Sequence, residues 1–102
     1  MNSDKPRFIA IGGIAGIARY RKEHYQKLRV FFPDLPESFD DWELDAGRTE
    51  NLLRLHGITV FPVEIDPEKF PTWCISKKFE INHETEKRYL MELALKLSAR
   101  AK

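Results

Sequence analysis

Cysteine is almost missing from this 102-residue chain. Cys74 stands alone, so no internal disulfide can staple the fold, which suits a reducing compartment. No apolar run approaches the roughly 20 residues that a membrane-spanning helix requires. The one long stretch, Phe8 to Ala18, has the length of a signal-peptide core and ends on small residues. Its three glycines and the basic stretch directly downstream argue against export, and a cytoplasmic, bacterial-type protein is expected.

Ligand-binding patterns are lacking too. His24, His56, His83 and Cys74 come from four separate segments, with no H-x₃₋₅-H or C-x₂-C pair, so no metal site is expected. Gly12-Gly-Ile-Ala-Gly16 lies where phosphate-binding glycines would sit, but has neither dinucleotide-fingerprint nor P-loop spacing, so no cofactor is expected. No helix-turn-helix, zinc-finger or RNP-like pattern is present. The paired carboxylates Asp40/Asp41 and Glu84/Glu86 fall where helix N-termini attract acids, and nothing near Cys74 reads as an activating base. An enzyme is therefore the third-ranked reading, and no catalytic residue is assigned.

What the chain does have is aromatic weight. Two Trp, three Tyr and seven Phe give a single domain spanning 1–102 enough bulk for a core without staples. Apolar residues make up 42% and charged residues 32%, as in a soluble globular domain. Net charge is only +1, yet it is segregated: +5 over residues 1–32, −7 over 33–70 and +3 over 71–102. Such a layout serves either internal pairing or a charged partner.

Periodicity predicts an α+β fold with two N-terminal helices, a β-hairpin and a long C-terminal helix. Residues 7–11 read either as a short strand widening the sheet, which is preferred, or as the start of a helix at Pro6. The first helix spans 14–32, with Ile14, Ile17, Ala18, Tyr25 and Leu28 on one side, and Pro33 stops it. His24 shares that apolar side and reads as a partly buried, hydrogen-bonded histidine; His83 reads as solvated. A second helix runs from the cap Ser38 to His56, with Gly47 and Thr49 as a potential break and recap, and Gly57 as the stop. Residues 58–65 alternate as a strand, with Pro62 marking an edge or bulge, and 72–77 return as its hairpin partner. The last helix, 82–101, is capped by Asn82, and Trp73, Phe61, Val63, Leu90, Leu93 and Leu97 are expected to share one core.

Two surfaces stand out. Arg19, Lys22, Gln26 and Arg29 recur along one side of the first helix as a candidate partner-binding stripe. Met91 and Leu95 lie outside the main apolar stripe of the last helix, as a candidate self-association surface. The function expected is a small non-enzymatic interaction protein that binds a protein partner of unknown identity and self-associates as a homodimer. The alternative is a nucleic-acid-associated protein using the basic side of helix 14–32.

Overall fold

The computed structural model describes residues 7–100, so the polar tail 1–6 and the terminal Ala101 and Lys102 lie outside it. The chain opens with a hairpin. Gly12 and Gly13 both take positive φ (59° and 85°), the combination a tight two-residue turn needs, and fold β1 (Phe8–Ile11) antiparallel onto β2 (Ile14–Arg19). The expected short strand is therefore present, but the expected helix over 14–32 is not one element. Its first six residues are β2, and after a 3₁₀ turn at Lys22–His24 only α1 (Tyr25–Phe31) is α-helical. Ile14, Ile17 and Ala18 fit a helical period, yet Ala15 to Ala18 are all buried. A strand covered on both faces reads as an unbroken apolar run, which periodicity alone cannot separate from a helix.

After Pro33, α2 (Phe39–Leu55) starts at Ser38, whose hydroxyl accepts the Asp41 N–H at 3.3 Å. It passes unbroken through Gly47, without a recap at Thr49, and stops before Gly57 at φ 78°. The strand β3 (Thr59–Glu64) follows as expected, but its partner is β2, which it joins in parallel from Ile14↔Thr59 to Arg19↔Glu64. The sheet order is β1-β2-β3. Pro62 accordingly sits on an edge strand, where its missing N–H breaks no ladder bond.

The expected hairpin over 58–65 and 72–77 does not form. Residues 72–77 belong to α3 (Lys69–Lys77), because Asp66 Oδ1 accepts the N–H groups of Glu68 (2.8 Å) and Lys69 (3.0 Å) and the Asp66 carbonyl accepts that of Phe70 (3.0 Å). Phe70, Trp73 and Cys74 then face inward at helical spacing, and Ile75 is left 73% exposed. The last helix, α4 (His83–Arg100), is capped by Asn82, whose Oδ1 accepts the Thr85 N–H at 3.0 Å.

Helices cover both faces of the sheet. α4 crosses all three strands, while α2 lies against β2 and β3. A Cβ added to Gly16 would come within 2.8 Å of the Leu90 carbonyl oxygen and 3.0 Å of Ala94 Cβ, so even positions of β2 face α4. Arg19, of the opposite parity, meets Trp42 and Glu50 of α2. The aromatic core of Tyr20, Tyr25, Phe32, Trp42 and Phe70 gathers beyond the carboxyl ends of β2 and β3, with Leu90 at its floor. Of the residues expected to share a core, Val63 and Leu90 are buried in it, Trp73, Leu93 and Leu97 pack against it, and Phe61 is only partly buried.

Two substitutions test this seating. Leu90→Ala empties a fully buried site and should cost about 2–5 kcal/mol. Gly16→Ala forces a methyl against the α4 backbone and should cost about 1–3 kcal/mol, whereas Ile75→Ala on the exposed side of α3 should change stability by no more than about 0.5 kcal/mol. Urea midpoints measure all three, and an unmoved midpoint for Gly16→Ala would contradict the close contact of α4 with β2.

Candidate functional site

The most unusual chemistry in the fold is a charged cluster with a buried centre, Arg7, Tyr20 and Glu86, and partly exposed outer members, Asp34 and His83. Arg7 precedes β1 and shares the parity of Ile9 and Ile11, so its side chain turns under α4. There it meets Glu86, which stands on the buried stripe of α4 with Tyr89 and Leu90 at i, i+3 and i+4. Arg7 is 7% exposed and Glu86 fully buried. Arg7 Nε lies 3.2 Å from Glu86 Oε1, an ion-pair distance without hydrogen-bond alignment, and that oxygen has no hydrogen-bond partner. The Tyr20 hydroxyl donates to Glu86 Oε2 at 2.6 Å and accepts from Arg7 Nη1 at 3.4 Å. Arg7 Nη2 donates to Asp34 Oδ1 at 2.8 Å, in the turn after α1, and lies 2.6 Å from His83 Nε2. His83 Nε2 is itself 2.7 Å from the same Asp34 oxygen, and its ring stacks on Phe32 at 5.3 Å. His83 is thus held in a network rather than simply solvated.

Each titration follows from burial. Desolvation pushes the Glu86 carboxyl up to about 7, with Arg7 and the Tyr20 hydroxyl pulling against it. Desolvation and then the charge of Glu86 hold the Tyr20 phenol well above its usual range. Burial first and Arg7 second lower His83, with Asp34 opposing. A guanidinium can only donate and a carboxylate only accept, so His83 Nε2 serves either as acceptor to Arg7 or as donor to Asp34, not as both at once. The surface clefts lie elsewhere, along α2, between β1 and α4, between β3 and α4, beside α3, and between α1 and α2. The cluster is built to tie β1, β2, the Asp34 turn and α4 together.

The residues singled out in the sequence are only partly brought together. Arg19 ends β2, pairs with Glu50 at 3.2 Å and lies 5.9 Å from the Trp42 ring, so it does not share a helix with the others. Lys22 is exposed on the 3₁₀ turn. Gln26 and Arg29 are on α1, where Gln26 Nε2 donates to the Glu37 carbonyl (3.3 Å) and Arg29 Nη1 to Gln26 Oε1 (3.2 Å). The cleft beside Lys22 and Gln26, of about 330 Å³, is also lined by Glu37 and Asp40. The single basic stripe of a helix over 14–32 is therefore replaced by scattered cations among acids.

Met91 and Leu95 do meet. With Ile9 of β1 they line a cleft of about 560 Å³, rimmed by Glu84, Lys87, Arg88 and Glu92. Leu95 is 52% and Ile11 58% exposed, while Phe8, of opposite parity, is exposed on the other face of β1. Sequence reasoning missed the contribution of β1 because Phe8-Ile-Ala-Ile11 shows no clean alternation. It also missed a convergence of His24, Glu64 and Asp66, which only the parallel pairing of β2 with β3 brings together.

The Glu86 titration has a measurable consequence. Its folded value lies above the roughly 4.3 of an unfolded glutamate, so the native chain holds this proton more tightly. The associated stability is complete below the unfolded value and is lost as pH rises through about 7, on the order of 3 kcal/mol in all. His83 works the other way, its contribution fading as pH falls through its lowered value. The difference between the parent and Glu86→Gln isolates the first effect: urea stability of the parent should fall relative to the variant between pH 4.5 and 7.5. Parallel curves would show that Glu86 does not titrate in the interior.

No protein-family model, no curated protein and no solved structure matches this chain, so its function rests on geometry alone.

Proposed function

We propose that the protein is a small non-enzymatic interaction module that works as a homodimer, two copies pairing through β1 and the adjoining face of α4. The observation that carries this reading is the outer edge of β1, which no strand among the described residues pairs with. The Ala18 N–H reaches the Arg7 carbonyl at 2.9 Å, so hydrogen bonding toward β2 alternates through Arg7, Ile9 and Ile11. The N–H and C=O groups of Phe8 and Ala10 therefore point outward. The other edge of the sheet is blunted by Pro62, whereas Phe8-Ile-Ala-Ile11 carries neither proline nor charge. A bare apolar edge invites an added strand.

A second copy suits this edge better than an unrelated occupant. Antiparallel pairing of β1 with itself about a two-fold axis would extend the sheet to six strands. The cleft rim holds two acids, Glu84 and Glu92, and two bases, Lys87 and Arg88, so a two-fold operation can set opposite charges against each other. Ile9, Met91 and Leu95 would then be covered in both copies.

Light scattering coupled to size exclusion tests the reading. The parent is expected to elute as a dimer. The double substitution Ile11→Lys, Leu95→Glu alters two side chains that are already more than half exposed, so it should give a monomer with unchanged helix content. Ala10→Pro, which removes only an outward N–H, should weaken association at least tenfold. A parent that stays monomeric at millimolar concentration would overturn the proposal.

A further inference from the structure

We propose that a divalent transition-metal ion of the zinc class binds at the carboxyl end of the parallel pair β2/β3, held by His24, Glu64 and Asp66. In open sheets of this kind the crevice beyond the carboxyl ends of adjacent parallel strands is where loops converge on a ligand. His24 closes the 3₁₀ turn that follows β2, Glu64 is the last residue of β3, and Asp66 lies two residues on. One donor atom from each lies within 4.8 Å of the other two. Two ligands of a tetrahedral ion at bonds of about 2.0–2.2 Å stand about 3.3–3.6 Å apart, so the exposed Glu64 side chain would have to rotate inward to close the set.

An independent observation comes from the imidazole. His24 Nδ1 has lost contact with solvent and has no hydrogen-bond partner. A buried polar atom left unsatisfied is destabilising, and coordination of a cation by Nδ1 relieves that cost. The carboxylates are prepared for the same role. Asp66 Oδ1 accepts the Glu68 and Lys69 N–H groups, which fix its orientation and leave Oδ2 for a ligand. Among the described residues Glu64 is engaged only by Arg21 Nη1 at 3.9 Å, a surface pair worth little. Two anionic oxygens and one imidazole nitrogen balance a +2 ion, and the imidazole favours zinc and the other late first-row ions over magnesium, calcium or manganese. Three protein donors leave a position for water, as in open rather than closed metal sites.

Titration calorimetry of the folded chain with ZnCl₂ in a non-chelating buffer tests this site. One ion per chain is expected, with a matching rise in melting temperature. Co²⁺ in place of Zn²⁺ should give visible absorption that saturates at the same ratio. Asp66→Asn keeps the oxygen that caps α3 while removing the anionic donor, and Glu64→Gln alters an exposed side chain, so both variants should fold. Each should weaken Zn²⁺ binding at least tenfold, as should His24→Ala. His56→Ala, at an exposed histidine outside the site, should leave binding unchanged. Absence of binding at 1 mM Zn²⁺, binding that Asp66→Asn and Glu64→Gln leave intact, or binding lost with His56 would each overturn the proposal.

Discussion

The close seat of α4 on β2 is the constraint from which the rest of the structure follows. Gly16 lets the helix backbone come down onto the central strand, and Ala94 meets it with a side chain almost as small. Any larger pair would lift α4 off the sheet. At this height Leu90 is wholly buried, Glu86 one turn earlier comes within reach of Arg7, and Tyr89 contacts Phe70 and Trp73 of α3 at 5.2 and 5.1 Å between ring centres. The same seat rolls Met91 and Leu95 toward Ile9 at the β1 edge. One small residue in the middle strand thus decides which side of α4 is core and which is surface.

The buried Arg7 cluster fits that frame as a device for specificity more than for stability. Taking the Arg7 guanidinium and the Glu86 carboxylate out of water costs several kcal/mol per ion, and their attraction repays this only when every lone pair is satisfied. Glu86 Oε1 and His83 Nδ1 are not satisfied. What the cluster secures is registry, since Arg7 reaches Glu86 and His83 of α4, Tyr20 just beyond β2, and Asp34 in the turn after α1. A hairpin slipped by one residue would swing Arg7 to the opposite face and leave Glu86 buried without a cation. That penalty selects the observed register of β1.

Legibility in the sequence followed how far each signal depends on local physics. Ser38, Asn82, Gly57 and Pro33 act through their own backbone and side chains, so the bounds of α2 and the start of α4 could be read directly. The two misread stretches are those where tertiary burial overrides pattern. Ile14 to Ala18 is covered on both faces and so loses the alternation that marks a strand. Residues 72–77 are rich in β-formers, but the cap supplied by Asp66 starts a helix before their preference can act. The stripe through Arg19, Lys22, Gln26 and Arg29 depended on the first error and dissolved with it. Met91 and Leu95 were placed by helix geometry alone, and the cleft they line with Ile9 needed β1 to complete it. His24, Glu64 and Asp66 are up to 42 residues apart and meet only through the β2/β3 pairing, so no spacing rule could have joined them.

Charge segregation along the chain finds its use inside the fold. Arg7, Arg19 and Arg21 from the basic first third reach Asp34, Glu50 and Glu64 from the acidic middle. These pairs span the hairpin-to-crossover part of the chain, where β3 must be brought alongside β2 across a long connection. Exposed pairs such as Arg21 with Glu64 contribute about 1 kcal/mol at most, but like charges in their place would oppose the parallel pairing. The uncompensated feature at the surface is instead apolar: an unblunted edge strand beside a cleft whose rim carries both signs of charge. The homodimer proposed above rests on this surface: an edge of unpaired backbone groups offers shape and hydrogen bonds, and a rim carrying both signs of charge would suit a copy of itself better than a polyanion.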